Sequence, residues 1–346
     1  MRALWPALLA ALTACPSPPQ RTERPGLAPS ASPVLPSASA PETPARPPAT
    51  TVDAGTPALF TGRVEIPGLV WLGEFVPGQA PSAGRPNGTV IATGGDADDR
   101  FLGLVEIDLA TGTEVRRRSI GVPAVGLLIR RDGELVHIAA QDEHTLVWLT
   151  YDLAMDEQRR VTIPAMGKDR VHRLHAFGVR DGHAILVDID DRSFDTEAHV
   201  FDVRGHRIAH HDCAPLAAVA FAVDLELEYT KDLAVILGVY DRPGLRPSLC
   251  AFRPDGQGPT LRAPAPGGFY YDGAVYSGDE PSAVRELGRD LRPTGPLVRD
   301  PREHVPRERC RTTGEYIAQD EWISEVEVIH TGSCCGGEPG GFFLCR

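Results

Sequence analysis

The sequence predicts an all-β fold assembled from repeated four-stranded sheets, and three observations carry that reading. From about residue 59 onward helical periodicity is almost absent, and short apolar stretches alternate with Gly, Asp and Pro turns every ~8–12 residues. A hairpin of the type strand, Asp, turn, strand appears at Val105 to Gly112, at Leu149 to Leu153 and at His199 to Gly205, with Asp108, Asp152 and Asp202 spaced 44 and 50 residues apart. A turn, Arg131-Asp132-Gly133, returns 49 residues later as Arg180-Asp181-Gly182.

A period of ~40–50 residues with four short strands is the sequence form of β-propeller blades, because such a sheet cannot cover its own faces and must stack on its neighbours. Five or six blades are expected, at about 69–120, 124–164, 171–214, 218–264 and 268–300, with the last in 310–346. Phe60 to Ile66 is expected to add a strand to that C-terminal blade. A pair of β-sandwiches is the alternative. The run Leu104 to Arg117 resembles the outer hairpin of bacterial quinoprotein-type propeller blades. That resemblance implies architecture and carries no activity, since propellers host unrelated functions.

Ahead of this domain, Arg2 provides a positive start, and Ala3 to Leu12 form an apolar run far shorter than the ~20 residues a membrane-spanning helix needs. The run ends in Leu12-Thr13-Ala14-Cys15, which resembles the lipobox of bacterial lipoproteins. The resemblance implies removal of residues 1–14, lipidation of Cys15 and stable anchoring by two or three acyl chains. Pro16 stands where an inner-membrane retention signal would place Asp, so the expected location is the cell envelope, at the outer membrane. Residues 15–58 are Pro-, Ala-, Ser- and Thr-rich, too poor in apolar side chains to repay ordering, and read as a tether. Such a chain of ~43 residues spans roughly 35 Å as a coil.

Residues 59–346 are long enough for a large core. A formal charge of −12 without a Lys/Arg cluster argues against nucleic acid as a partner. Beyond Cys15 six cysteines remain: Cys213, Cys250, Cys310, Cys334, Cys335 and Cys345. An even number in an exported chain points to disulfides. The adjacent Cys334 and Cys335 are expected to pair with Cys310 and Cys345, leaving Cys213 with Cys250. A zinc knuckle of His330, Cys334, Cys335 and Cys345 is the competing reading, and it lacks the paired CxxC spacing.

Acidic residues follow the second strand of several units: Asp96, Asp98 and Asp99; Asp142 and Glu143; Asp188, Asp190 and Asp191; Asp241; Asp279 and Glu280. None matches a calcium-binding loop pattern, so solvated turn positions are expected. Seven of the eleven histidines lie between His172 and His211. Neighbours such as His210 and His211 point to opposite faces of an extended strand, so a metal site would have to recruit ligands across strands. No metal site and no cofactor are assigned, and the histidines are expected to be surface or strand-packing residues. Nucleophile-elbow, phosphate-loop, zincin and dinucleotide signatures are absent. The expectation is a lipid-anchored binding platform for envelope proteins or polymers. Alternatives are an envelope glycan hydrolase or lyase, a quinone-dependent dehydrogenase, or a structural part of an envelope complex.

Overall fold

The structure, a computed structural model, describes residues 62–345 except 98–99, 123, 125, 142–144, 165–171, 191–195, 215–222, 241–247, 265–267, 281–282, 302–315 and 333–340. The domain begins with the short strand β1 (Gly62–Arg63). Sheet one follows as β2 (Trp71–Pro77), β3 (Thr89–Gly95), β4 (Leu102–Asp108) and β5 (Glu114–Ser119). Sheet two is β6 (Gly126–Asp132), β7 (Leu135–Gln141), β8 (Thr145–Asp152) and β9 (Glu157–Pro164). Sheet three is β10 (His172–Arg180), β11 (His183–Asp190), β12 (Thr196–Phe201) and β13 (Arg207–Ala214). Sheet four is β14 (Val223–Tyr229), β15 (Ala234–Tyr240), β16 (Ser248–Phe252) and β17 (Leu261–Pro264). Sheet five is β18 (Phe269–Tyr271), β19 (Ala274–Glu280), β20 (Ala283–Leu287) and β21 (Pro293–Val298). The last three strands are β22 (Tyr316–Ile323), β23 (Val326–Gly332) and β24 (Phe342–Cys345).

Each of the first five sheets is a meander in chain order, and every pairing is antiparallel. Sheet six has the order β1-β24-β23-β22, so the N-terminal strand completes the C-terminal sheet through Gly62 opposite Leu344 and Arg63 opposite Phe343. Six separate four-stranded sheets of this propeller type replace the sandwich alternative, and the expected blade bounds enclose the strands of sheets one to five. Of the strand expected over Phe60–Ile66, Gly62–Arg63 form β1, and Phe60 and Thr61 lie outside the described residues.

The spaced aspartates explain themselves locally. Asp108 Oδ1 accepts from the N–H of Ala110 and Thr111, Asp152 Oδ1 from Ala154 and Asp156, and Asp202 Oδ1 from Arg204 and His206. A short carboxylate that satisfies the backbone two to four residues ahead fixes the hairpin between third and fourth strands. Gly205 then takes φ 79°, and a Cβ there would sit 2.3 Å from Val161 Cγ1 of sheet two. Only glycine permits both the left-handed backbone and that approach.

Packing joins consecutive sheets. Val76, Ile91, Leu104, Ile129, Ile138 and Leu149 form the core between sheets one and two. Trp148, Ile163, Phe177, Leu186 and Phe201 do so between sheets two and three, and Ile185, Val187, Val200, Leu225, Ile236 and Phe252 between three and four. Phe75, Val105, Val328, Phe342 and Leu344 unite sheets one and six. Each fully buried aliphatic side chain contributes about 1.5–3 kcal/mol, so these seams hold the domain. Among the described residues no such cluster joins sheets five and six, and β21 is exposed along its length.

Candidate functional site

A repeated arginine staple precedes the site and gives it meaning. In sheets one, two and four, a buried third-strand residue lies directly opposite an arginine on the fourth strand: Val105 opposite Arg117, Leu149 opposite Arg160, Cys250 opposite Arg262. Each guanidinium donates to a backbone carbonyl ahead of its own sheet. Arg117 Nη2 reaches Pro67 O at 3.0 Å, Arg160 Nη2 reaches Ile120 O at 2.9 Å, and Arg262 Nη2 reaches Asp212 O at 2.6 Å. In sheets one and two a glutamate three residues earlier on the same strand, Glu114 or Glu157, grips the arginine through a charge-assisted pair. The Glu157 carboxyl is held below the usual range, first by its hydrogen bond from Arg160.

Sheet three breaks this rule. His199 occupies the third-strand position, His210 stands opposite it in place of the arginine, and Arg207 lies opposite Phe201 where sheet two has Glu157 opposite Tyr151. A bulge between Val200 and Phe201 sets this register. Residues i and i+2 of a strand share a face, and directly opposed residues share it too, so Glu197, His199 and His210 converge. Glu197 Oε2 lies 3.6 Å from His199 Nε2 and 3.4 Å from His210 Nε2. The imidazoles stack with centroids 5.0 Å apart. Side-chain exposure rises from 3% at His199 through 27% at Glu197 to 44% at His210. Asp212, opposite Glu197, pairs with Arg262 at 3.3 Å.

Two histidines outside the cluster, His211 and His137, are packing residues. His211 points to the opposite face, stacks on Phe252 at 4.1 Å and bonds Thr260 Oγ1 at 2.9 Å. His137 of sheet two is buried, accepts at Nδ1 from Trp148 Nε1 at 3.3 Å, and lies 3.1 Å from Thr150 Oγ1. Burial, with Arg159 adding to it, lowers the His137 pKa to about 4. Arg159 covers the Trp148 ring at 4.1 Å and donates to Val203 O across the seam. Beside β1, Arg63 to Leu72 and Phe342 line a cavity of about 510 Å³ whose only ionisable lining groups are Arg63 and Glu65.

Cys213 and Cys250 form a disulfide with Cα atoms 5.5 Å apart, joining sheet three to sheet four. Cys345 is also disulfide-bonded, which removes its thiolate from the zinc knuckle with His330. Cys310, Cys334 and Cys335 lie outside the described residues, as does Cys15. Of the acidic positions, Asp98, Asp99, Asp142, Glu143, Asp191 and Asp241 lie outside them as well. Asp96 accepts from Arg100 N in a turn, as expected. Asp188 corrects the solvated-turn reading: β11 runs on through Asp190, and Asp188 is 2% exposed within the strand. Asp279 and Glu280 likewise end a strand, β19, and are not loop residues.

No protein-family model matches the chain, and no curated protein sequence matches it. Solved structures are similar in fold. A member of the duf4221 family from Bacteroides vulgatus is 12% identical, with 83% of this chain and 95% of that one covered at a TM-score of 0.45. The β-propeller domain of the Trilobed protease from Pyrococcus furiosus is 11% identical, with 76% and 80% covered at 0.40. BamB from Moraxella catarrhalis is 11% identical, with 75% and 82% covered at 0.34. At such values the class, an all-β protein of six propeller-type sheets, rests on the strand order and register described above.

Proposed function

We propose that the chain is an exported lipoprotein whose six-sheet domain serves as a binding platform in the cell envelope, held to a membrane by lipid on Cys15. The observation that carries this reading is the succession of Leu12-Thr13-Ala14-Cys15, a proline-rich stretch to residue 58 and a repeat domain. A disulfide between Cys213 and Cys250 fits an oxidising compartment. Envelope proteins or polymers are the partners, engaged within the reach of the tether. The test is metabolic labelling with an alkyne fatty acid, membrane fractionation and in-cell crosslinking of the wild type beside Cys15→Ala. Labelling, membrane residence and specific crosslinks that all vanish in the variant support the platform. An unlabelled wild type, or identical behaviour of both forms, sinks it.

A further inference from the structure

The geometry points to a divalent transition-metal site of the zinc class on sheet three, with Glu197, His199 and His210 as ligands. It goes beyond the platform reading and does not depend on lipidation. A tetrahedral ion with bonds of roughly 2.0–2.1 Å has ligand atoms about 3.3–3.4 Å apart. The Glu197 carboxylate oxygen already stands 3.4 and 3.6 Å from the two imidazole Nε2 atoms, and all three donor atoms lie within 4.8 Å of one another. Shifts of a fraction of an ångström to about one ångström complete three corners. Two imidazoles and one carboxylate are a donor set for Zn²⁺ and its neighbours, whereas calcium asks for six to eight oxygens.

The gradient of burial supplies what a working site needs. His199, packed in the strand, is a fixed ligand, and His210 at the rim leaves the remaining corner to water or an incoming ligand. Position in the repeat argues against a merely structural cluster. The same two places hold an aliphatic or disulfide residue and a stapling arginine in sheets one, two and four. Among the described residues of sheets one to four, only sheet three has imidazoles at both places, joined by a carboxylate one pleat away.

The test uses the purified, oxidised full chain stripped with chelator, titrated with Zn²⁺ alone by calorimetry and with Co²⁺ by absorption. Wild type is expected to take up one Zn²⁺ at this site and to give a Co²⁺ spectrum of nitrogen and oxygen ligation. His210→Arg, which installs the residue of the other sheets, and Glu197→Gln should each weaken binding roughly tenfold or more. His206→Ala, at an exposed histidine outside the cluster, should bind as wild type. Melting of each variant without metal shows that it is folded, and Glu197→Gln decides if His210→Arg is not. No Zn²⁺ uptake by wild type, uptake unchanged in the folded variants, or a Co²⁺–thiolate charge-transfer band in place of the expected spectrum overturns the assignment.

Discussion

Sheets two and three share one strand plan and differ in what their third and fourth strands present. In sheet two, Leu149 is buried toward sheet one, and Arg160, gripped by Glu157, staples the sheet backward to Ile120. In sheet three the same two places are His199 and His210, and no arginine reaches back from that position. Sheet three is instead fastened forward: the Cys213–Cys250 disulfide and the bond from Arg262 to Asp212 tie it to sheet four. The seam between sheets two and three relies on packing around Trp148 and on Arg159 donating to Val203. A repeat domain can therefore release one stapling position for other chemistry when the next seam carries a covalent link.

Five variants would break or sharpen that contrast, beginning with the largest expected effect. Trp148→Ala removes the largest fully buried side chain of the seam and should cost about 3–5 kcal/mol in denaturant unfolding. A loss under 1 kcal/mol would show that packing does not hold this seam. Replacing both Cys213 and Cys250 by alanine should cost roughly 2–4 kcal/mol, since the bridge closes a loop of 37 residues. If that variant melts with the wild type, the forward fastening of sheet three is idle.

His137→Ile, which places in sheet two the residue that Ile185 is in sheet three, should cost about 1–3 kcal/mol at neutral pH because Trp148 Nε1 loses its acceptor. The same variant has a pH signature. The His137 pKa in the folded chain, about 4, lies below the ordinary 6.5, so the unfolded chain takes up the proton first. Wild-type stability from this group is complete above pH 6.5 and is lost as pH falls toward 4, and His137→Ile should flatten that part of the stability–pH curve. The smallest pair of effects is the most telling. Arg160→Ala should cost about 1 kcal/mol through its lost interactions, whereas His210→Arg should stay within about 0.5 kcal/mol of wild type without metal. Equal and large losses from both would mean that His210 is as structural as Arg160.

The repeat was legible in the sequence because its marker is local. An aspartate that bonds the backbone two to four residues ahead leaves the same trace in three hairpins, and counting between Asp108, Asp152 and Asp202 gave the sheet bounds. The Cys213–Cys250 pair followed from setting aside the four cysteines nearer the C-terminus. His210 and His211 do face apart, as strand geometry requires. The meeting of Glu197, His199 and His210 was not legible. It depends on a one-residue bulge beside Phe201, and a slip of one residue sends a side chain to the other face. A bulge at the corresponding place in sheets one and two, between Glu106 and Ile107 and between Thr150 and Tyr151, is the signal that could have found it. Asp188 was misplaced for a related reason: a polar residue near a strand end reads as a turn, although the strand continues past it.

The placement of β1 has a mechanical side. Gly62 and Arg63 are zipped to Leu344 and Phe343, Val64 N donates to Phe342 O at 2.7 Å, and Val64 and Ile66 are buried just beyond. Tension arriving along the chain ahead of residue 62 is therefore taken up first by the strand that ends the domain, and only afterwards by the sheet that follows in sequence. Pulling on one terminus strains the hydrogen bonds of the other.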